Sequence, residues 1–167
     1  TDNTETIISY RHYSICSNPK RRDIYEIAVL HEVDGSGGSD FIHQQYQLGM
    51  TINCQPVENN FSLQLKRHHQ GASAILIAGG IGITPIKAMA QSLKTMGICF
   101  ALHYAGKSNT KMAFLDRLKR DLGEQLISYF SNENQRLDFT KIIKDADKNS
   151  IFYLCGPNRL IDDFCQI

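Results

Sequence analysis

The sequence predicts a mixed fold, in which a β-rich part over residues 1–68 is followed by a parallel α/β domain over residues 72–167. Three observations predict it. Strand-like segments dominate the first third of the chain, strands and helices alternate after residue 72, and a polar stretch ending in Gly71 separates the two patterns. Strand–helix alternation is typical of a parallel sheet with helices on both faces.

The first part has too few strands to close on itself. Strands are predicted over residues 7–14, 24–31, 51–57 and 61–65, with a short helical run at 40–45. About four strands neither close an antiparallel barrel nor cover a sheet well. We therefore expect an incomplete β-rich domain, in a polypeptide that is a piece of a longer protein or has lost its preceding strands.

The second part alternates regularly. Helix 111–122, for example, carries Met112, Leu115, Leu118 and Leu122 on one stripe, and Gly97 ends the helix before it. The predicted elements are strands 74–78, 99–104, 126–130 and 151–154, helices 85–96, 111–122 and 138–146, and a helix after Gly156 and Pro157.

Composition excludes several classes of function. The 167 residues are 42% hydrophobic and 21% charged, with a formal net charge of +1, as in an ordinary globular protein. A near-neutral charge balance predicts neither nucleic-acid nor membrane binding. The five cysteines are odd in number and far apart, which predicts no metal site and no disulfide framework and favours the reducing cytoplasm.

A glycine-rich turn after the first strand of the α/β domain is the first candidate site. Gly79, Gly80 and Gly82 leave backbone N–H groups uncovered, and Pro85 suits the first turn of the following helix. Exposed N–H groups at a helix N-terminus bind phosphate. A tight turn without a ligand explains three glycines equally well, but loops 106–109 and 155–157 are expected at the same edge of the sheet, where ligands collect.

The second candidate site lies in the β-rich part. Arg11, Tyr13 and Ser14 would present a phosphate-binding guanidinium, an aromatic ring and a hydroxyl from one strand. The segment 37–39, Gly-Gly-Ser, is a second backbone nest suited to phosphate. An exposed strand face and a flexible glycine–serine loop are the structural alternatives.

The order of these motifs resembles one family. Arg-x-Tyr-Ser at 11–14, Gly-Gly-Ser at 37–39, Gly-Gly-Ile-Gly-Ile-Thr-Pro at 79–85 and Cys-Gly-Pro at 155–157 follow one another as in the ferredoxin–NADP reductase-like flavoenzymes. The likeness is greatest to the reductase components of aromatic-ring dioxygenases and O-demethylases, the phthalate dioxygenase reductase and vanillate demethylase reductase group. It implies an incomplete antiparallel flavin-binding β-barrel followed by a Rossmann-like parallel α/β NAD-binding domain.

The resemblance also implies roles in flavin binding. Arg11 would hold the flavin phosphate, Tyr13 would pack on the isoalloxazine ring with Ile15 beside it, and Ser14 would lie near flavin N5. Gly37, Gly38 and Ser39 would close on the flavin phosphate, in a layout associated with FMN in this subgroup and with FAD elsewhere.

Roles at the nicotinamide cofactor follow in the same way. Cys155 would shape the nicotinamide pocket, so the resemblance implies that Cys155 and Ser14 are the residues at the reacting atoms; a buried thiol at a strand end is the alternative for Cys155. Lys107 stands where the family usually has arginine, which leaves NADH against NADPH open. The implied contacts to the cofactor are Gly80, Ile81, Gly82, Thr84, Lys107, Cys155 and Gly156.

The implied function is electron transfer. Electrons would pass from NAD(P)H through FMN (or FAD) to an iron–sulfur centre and on to a terminal Rieske-type oxygenase. Glu58 replaces a usual arginine near the flavin, and no Cys-x₄-Cys-x₂-Cys motif is present, so a [2Fe–2S] cluster would require a C-terminal domain absent from this chain. The alternative is a non-catalytic flavin- or nucleotide-binding module, and the fragment by itself could be inactive.

Overall fold

A four-stranded parallel sheet forms the centre of the protein, whose computed structural model describes residues 10–167. Its strands are β1 (Ala74–Gly79), β2 (Phe100–Gly106), β3 (Leu126–Phe130) and β4 (Ile151–Cys155). Their order across the sheet is β3-β2-β1-β4, and every neighbouring pair is parallel. The predicted parallel sheet is therefore confirmed, each strand lying within two residues of its predicted bounds.

Four helices connect or follow these strands: α3 (Ile83–Met96), α4 (Leu115–Leu122), α5 (Phe139–Asp145) and α6 (Asn158–Cys165). Gly97 ends α3 in the left-handed conformation at φ 68°, as predicted. The prediction for α4 was wrong at its start, because a 3₁₀ turn at Asn109–Lys111 and a left-handed Phe114 precede it. An α-helix cannot continue back through a residue with positive φ.

Apolar side chains pack on both faces of the sheet. Successive residues of a strand point to opposite faces, so Leu76 and Ile77 of β1 enter different clusters, and both are fully buried. The larger cluster includes α3 and the predicted stripe of α4, and the smaller one includes Phe139 and Ile142 of α5. Helices thus cover both faces, which explains why the sheet tolerates apolar residues at neighbouring positions.

The predicted barrel is not seen. Among described residues before Ala74 the structure has two helices, α1 (Gly38–Gln45) and α2 (Leu65–His69), and no β-strand. The predicted strands at 24–31, 51–57 and 61–65 were therefore wrong for this structure, and residues 7–9 of the strand predicted at 7–14 lie outside the described residues. A strand requires a paired neighbour, and within described residues 10–72 the one backbone hydrogen bond between segments distant in sequence runs from Cys16 N–H to Glu26 O at 2.8 Å.

Helix α2 occupies the polar stretch predicted as a domain boundary. His68 is buried, with Nδ1 2.8 Å from the carbonyl O of Ala72 and Nε2 2.9 Å from the hydroxyl of Tyr153. The same hydroxyl accepts the N–H of Gln64 at 2.7 Å. These bonds attach α2 to β4, while the division into domains 1–68 and 72–167 stays a prediction. None of the helices in the described part of the chain is long and apolar enough to cross a membrane.

Candidate functional site

The glycine turn leads directly from β1 into α3. Residues Gly80–Gly82 form one 3₁₀ turn, and α3 begins at Ile83, two residues earlier than predicted. Gly80 has φ +53°, and no heavy atom lies within 4 Å of the position that a Cβ would take there. The turn therefore presents open backbone at the N-terminal end of a 14-residue helix, which is the geometry that binds phosphate.

A buried tyrosine supports this turn from within the core. The hydroxyl of Tyr104, at the carboxyl end of β2, lies 3.2 Å from the carbonyl O of Gly80 and 3.2 Å from that of Ala113. Burial raises the pKa of Tyr104, so the hydroxyl keeps its proton and can donate it. This role was not predicted from the sequence, because an aromatic residue in an apolar strand is usually part of the core.

The Cys155–Gly156 turn packs against the glycine turn. A Cβ on Gly82 would lie 2.3 Å from the carbonyl O of Cys155 and 2.7 Å from the N of Gly156. The parallel pairing of Ala78 with Cys155 brings these two strand ends together. Gly82 thus serves the contact between two backbone segments, whereas Gly80 is the glycine with open space beside it.

The thiol of Cys155 is half-buried and free, and burial raises its pKa. A protonated thiol is a weak nucleophile. Thr84 is buried, and its hydroxyl donates to the carbonyl O of Ile81 at 3.1 Å, within the first turn of the helix. Lys107 is exposed just beyond β2, at the same edge of the sheet.

Arg11 and the loop at 36–39 come together in the N-terminal part. The guanidinium Nη2 of Arg11 donates to Ser36 Oγ at 3.1 Å, and a Cβ on Gly38 would lie 2.6 Å from Arg11 Nε. Gly37 has φ +82° and leads into α1. Ser39 Oγ accepts the N–H of Glu32 at 3.1 Å, which folds the loop back on itself. The structure thus combines the two motifs that were predicted separately to bind the flavin phosphate.

Ser14 is exposed, and Tyr13 and Ile15 beside it are half-buried. Immediately after them, the carbonyl O of Cys16 accepts a hydrogen bond from Lys87 Nζ at 2.5 Å. Lys87 lies on α3, the helix that follows the glycine turn, so this hydrogen bond joins that helix to the segment that follows Ser14. Sequence reasoning missed Lys87, although a lone lysine within the apolar run 86–90 was a detectable signal.

Several known proteins are similar to this chain in sequence or in fold. The heme-dependent oxidative N-demethylase beta subunit of Ectopseudomonas mendocina (strain ymp) is 36% identical over 151 residues, covering 90% of this chain and 47% of that protein. The vanillate O-demethylase oxidoreductase of Acinetobacter baylyi is 35% identical over 148 residues, covering 88% and 45%. The crystal structure of phthalate dioxygenase reductase matches with a TM-score of 0.76 and 32% identity, over 92% of this chain and 48% of that one.

Over about nine tenths of its length the chain is similar to ferredoxin–NADP reductase-like proteins of the oxygenase reductase group. The family predicted from the order of the motifs is therefore confirmed. The chain spans about half the length of the curated relatives it matches. No protein-family model matches it.

Proposed function

We propose that this chain supplies the nicotinamide-binding unit and part of the flavin site of an NAD(P)H-dependent oxygenase reductase. The observation that carries the proposal is the packing of the Cys155–Gly156 turn on Gly82 beside the open backbone of Gly80. Phthalate dioxygenase reductase, which shares the fold, is described as transferring electrons from pyridine nucleotides to [2Fe–2S].

The residues present fit both cofactors. Gly80 leaves open backbone at a helix N-terminus, as a pyrophosphate requires. Arg11 lies against Gly38 next to a glycine nest, as the flavin phosphate requires. When bound, FMN or FAD would supply the conversion of a two-electron hydride into single electrons, which an iron–sulfur centre accepts.

In this proposal the chain's own side chains orient the flavin and the nicotinamide ring and limit the space around them. In this proposal Tyr13 would pack on the flavin ring, the hydroxyl of Ser14 would be a hydrogen-bond partner of the flavin, and the protonated thiol of Cys155 would limit the space around the nicotinamide ring. Positioning is the main contribution, because reacting atoms must approach to about 3–3.5 Å. A side chain with a matched pKa is not needed for hydride transfer.

The segment before β1 is, in this proposal, part of a flavin-binding β-barrel. Its apolar side chains support that assignment, since Ile24, Ile27 and Leu30 are each more than 40% exposed at positions predicted as one strand. Strands of this kind pair when neighbouring strands are available to satisfy their N–H and C=O groups.

The electrons would leave for an iron–sulfur centre outside this chain and then for a terminal Rieske-type oxygenase or O-demethylase. Vanillate is one substrate class for such a partner, since a vanillate O-demethylase oxidoreductase is among the relatives. In this proposal the flavin is FMN or FAD and the reductant is NADH or NADPH. One titration series distinguishes the two flavins and the two nicotinamide cofactors.

The test is anaerobic mixing. Purified protein is incubated with FMN or FAD, NADH or NADPH is added, and the visible absorption band of the flavin is followed. Rapid bleaching with one cofactor pair supports the reductase. Tight flavin binding without bleaching would support the alternative, a non-catalytic flavin-binding module, and absence of flavin binding would contradict both.

Arg11→Ala tests the phosphate assignment. Loss of a charge-assisted hydrogen bond to phosphate is worth about 1.5–3 kcal/mol, so the dissociation constant for FMN should rise at least about tenfold. Arg22→Ala removes the same charge from an exposed position outside the candidate site and is the matched control. Equal flavin affinity of the Arg11→Ala variant and the native chain would contradict the assignment.

A further inference from the structure

A buried lysine joins the N-terminal part of the chain to the α/β unit. Lys87 on α3 is only 1% exposed, and its Nζ donates to the carbonyl O of Cys16 at 2.5 Å and to Glu26 Oε2 at 2.9 Å. Lysine is almost never fully buried unless its charge is paired. The ammonium group is therefore committed to two acceptors that both belong to the N-terminal part.

Arg117 on α4 binds the same carboxylate. Its Nη1 lies 2.7 Å from Glu26 Oε1 and 3.0 Å from Glu26 Oε2. Glu26 thus receives hydrogen bonds from two helices of the α/β unit. Within the N-terminal part, the backbone carbonyl of Glu26 accepts two hydrogen bonds from Cys16, one from its N–H at 2.8 Å and one from its Sγ–H at 3.2 Å. These bonds hold the segments around residues 16 and 26 together.

A strained phenylalanine completes this group. The ring of Phe114 has Lys87 Nζ 4.9 Å and Arg117 Cζ 5.3 Å from its centroid, both within reach of a cation–π interaction. Phe114 has φ +61°, a left-handed conformation that is unfavourable for a bulky side chain. Such strain persists where the surrounding contacts determine the conformation, and here it places the ring beside both cations. We call Glu26, Lys87, Phe114 and Arg117 the charged cluster.

The position of the charged cluster links the two candidate sites. Cys16 follows Ser14 by two residues, a span of at most about 7 Å. Lys87 follows Gly82 by five residues, on the helix that begins at the glycine turn. The contact between Lys87 and Cys16 therefore spans the boundary between the segment proposed to bind flavin and the unit proposed to bind nicotinamide.

We propose that the charged cluster fixes the flavin-binding segment against the nicotinamide-binding unit, with Glu26 and Lys87 as positioning residues for hydride transfer. The positioning role in hydride transfer rests on the proposed function, whereas the docking of the two parts of the chain does not. A misplacement of about 1 Å between reacting groups can cost about a hundredfold in rate. Two parts of a site carried by different segments of the chain need a fixed junction of this kind.

The docking is tested without any cofactor through Cys16, which is fully buried at the junction. The variants are Lys87→Met and Glu26→Gln, and the control is Asp23→Asn, which breaks the exposed ion pair between Arg21 and Asp23 on the same loop. Alkylation by iodoacetamide is resolved cysteine by cysteine with mass spectrometry. We expect Cys16 to react at least about tenfold faster in both cluster variants, equivalent to about 1.4 kcal/mol, and at the native rate in the control.

Cys155 is the internal reference, because it is half-buried at the end of β4. Its alkylation rate should stay native in all variants. If Cys155 also reacts faster in the cluster variants, the cluster maintains the fold of the α/β unit and the docking proposal is wrong. An unchanged rate at Cys16 would overturn it equally.

The catalytic consequence is tested with bound flavin. At saturating NADH, the rate of flavin bleaching should fall about ten- to a hundredfold in Lys87→Met, while the dissociation constants for FMN and NADH change less than about threefold. A native bleaching rate combined with fast alkylation of Cys16 would refute the positioning role. If the native chain itself does not bleach, the proposed function fails, whereas the alkylation result still decides whether the cluster docks the segment.

Discussion

Gly82 has no side chain because the carbonyl group of Cys155 occupies the space that a Cβ would need. A Cβ there would lie 2.3 Å from this carbonyl oxygen, and Cys155 is held in place by the parallel pairing of β1 with β4. Gly80, two residues earlier, meets no atom within 4 Å, but its positive φ disfavours any other residue. The two glycines are therefore required for different physical reasons.

Gly82→Ala should lower the free energy of unfolding by about 2–3 kcal/mol, since the methyl group forces two backbone segments apart. Gly80→Ala should cost about 1 kcal/mol, the price of a left-handed alanine. Urea unfolding of both variants measures the difference. Equal losses would show that the Cys155 turn moves freely away from Gly82.

Tyr104→Phe tests the support of the glycine turn. Removing the hydroxyl leaves the carbonyls of Gly80 and Ala113 without this donor, which should cost about 1–2 kcal/mol of stability and weaken NADH binding several-fold. Tyr129→Phe is the control, because that hydroxyl bonds His103 Nδ1 at 2.9 Å and not the turn. Similar NADH affinities for the two variants would argue against a role of Tyr104 in holding the turn.

At the scale of elements, the α/β unit was predictable because its signals are local. Each of these signals is contained in one short segment of the sequence. Examples are the strand before the glycine turn, Gly97 as a helix end, and the stripe of Leu115, Leu118 and Leu122. The strands expected before Ala74 were not predictable in this way. Their formation depends on pairing with other segments, and within the described residues Glu26 instead pairs with Cys16, Lys87 and Arg117.

The same limit applies to the candidate site. Strand–helix alternation predicted that the loops near residues 80 and 155 would lie at the same edge of the sheet, since parallel strands end at one edge. The packing of Cys155 on Gly82, the support from Tyr104 and the buried Lys87 depend on three-dimensional neighbours. The hydrophobic periodicity of a sequence shows which face of a helix is apolar. It does not show that a lysine on that face forms an ion pair with a carboxylate from another segment.

Helix α5 offers a prediction at this scale. Asp138 caps it, with Oδ1 accepting the N–H of Lys141 at 2.9 Å. Asp138→Ala should therefore lower the free energy of unfolding by about 1 kcal/mol, whereas Asp138→Asn keeps an acceptor and should cost a few tenths. Thermal unfolding of both variants checks this, and an equal loss would show that the charge of Asp138 matters more than its hydrogen bond.

For the whole molecule, the two parts of the chain differ in how they are held. The α/β unit has an extensive apolar core, whereas many large apolar side chains before Ala74 are exposed, Val33 and Leu48 among them. The N-terminal part therefore depends on specific polar contacts with the α/β unit, and the pairing of Glu26 with Lys87 and Arg117 is prominent among them. Contacts of this kind respond to pH in a way that apolar packing does not.

Acid should weaken these contacts through Glu26. Burial acts to raise the pKa of Glu26, but hydrogen bonds from Arg117 and Lys87 and their positive charges outweigh it, so the pKa lies below the ordinary 4.5. A lowered carboxyl pKa stabilises the folded state above the unfolded-state value, and the stabilisation is lost as the pH falls through the folded-state value. The native chain should therefore be more stable than Glu26→Gln near neutral pH, with the difference shrinking below about pH 4.5. Burial also lowers the pKa of His103, but that contribution is common to both proteins and cancels. Urea unfolding between about pH 7 and pH 3 measures the difference, and a constant gap would show that Glu26 is not ionised at the junction.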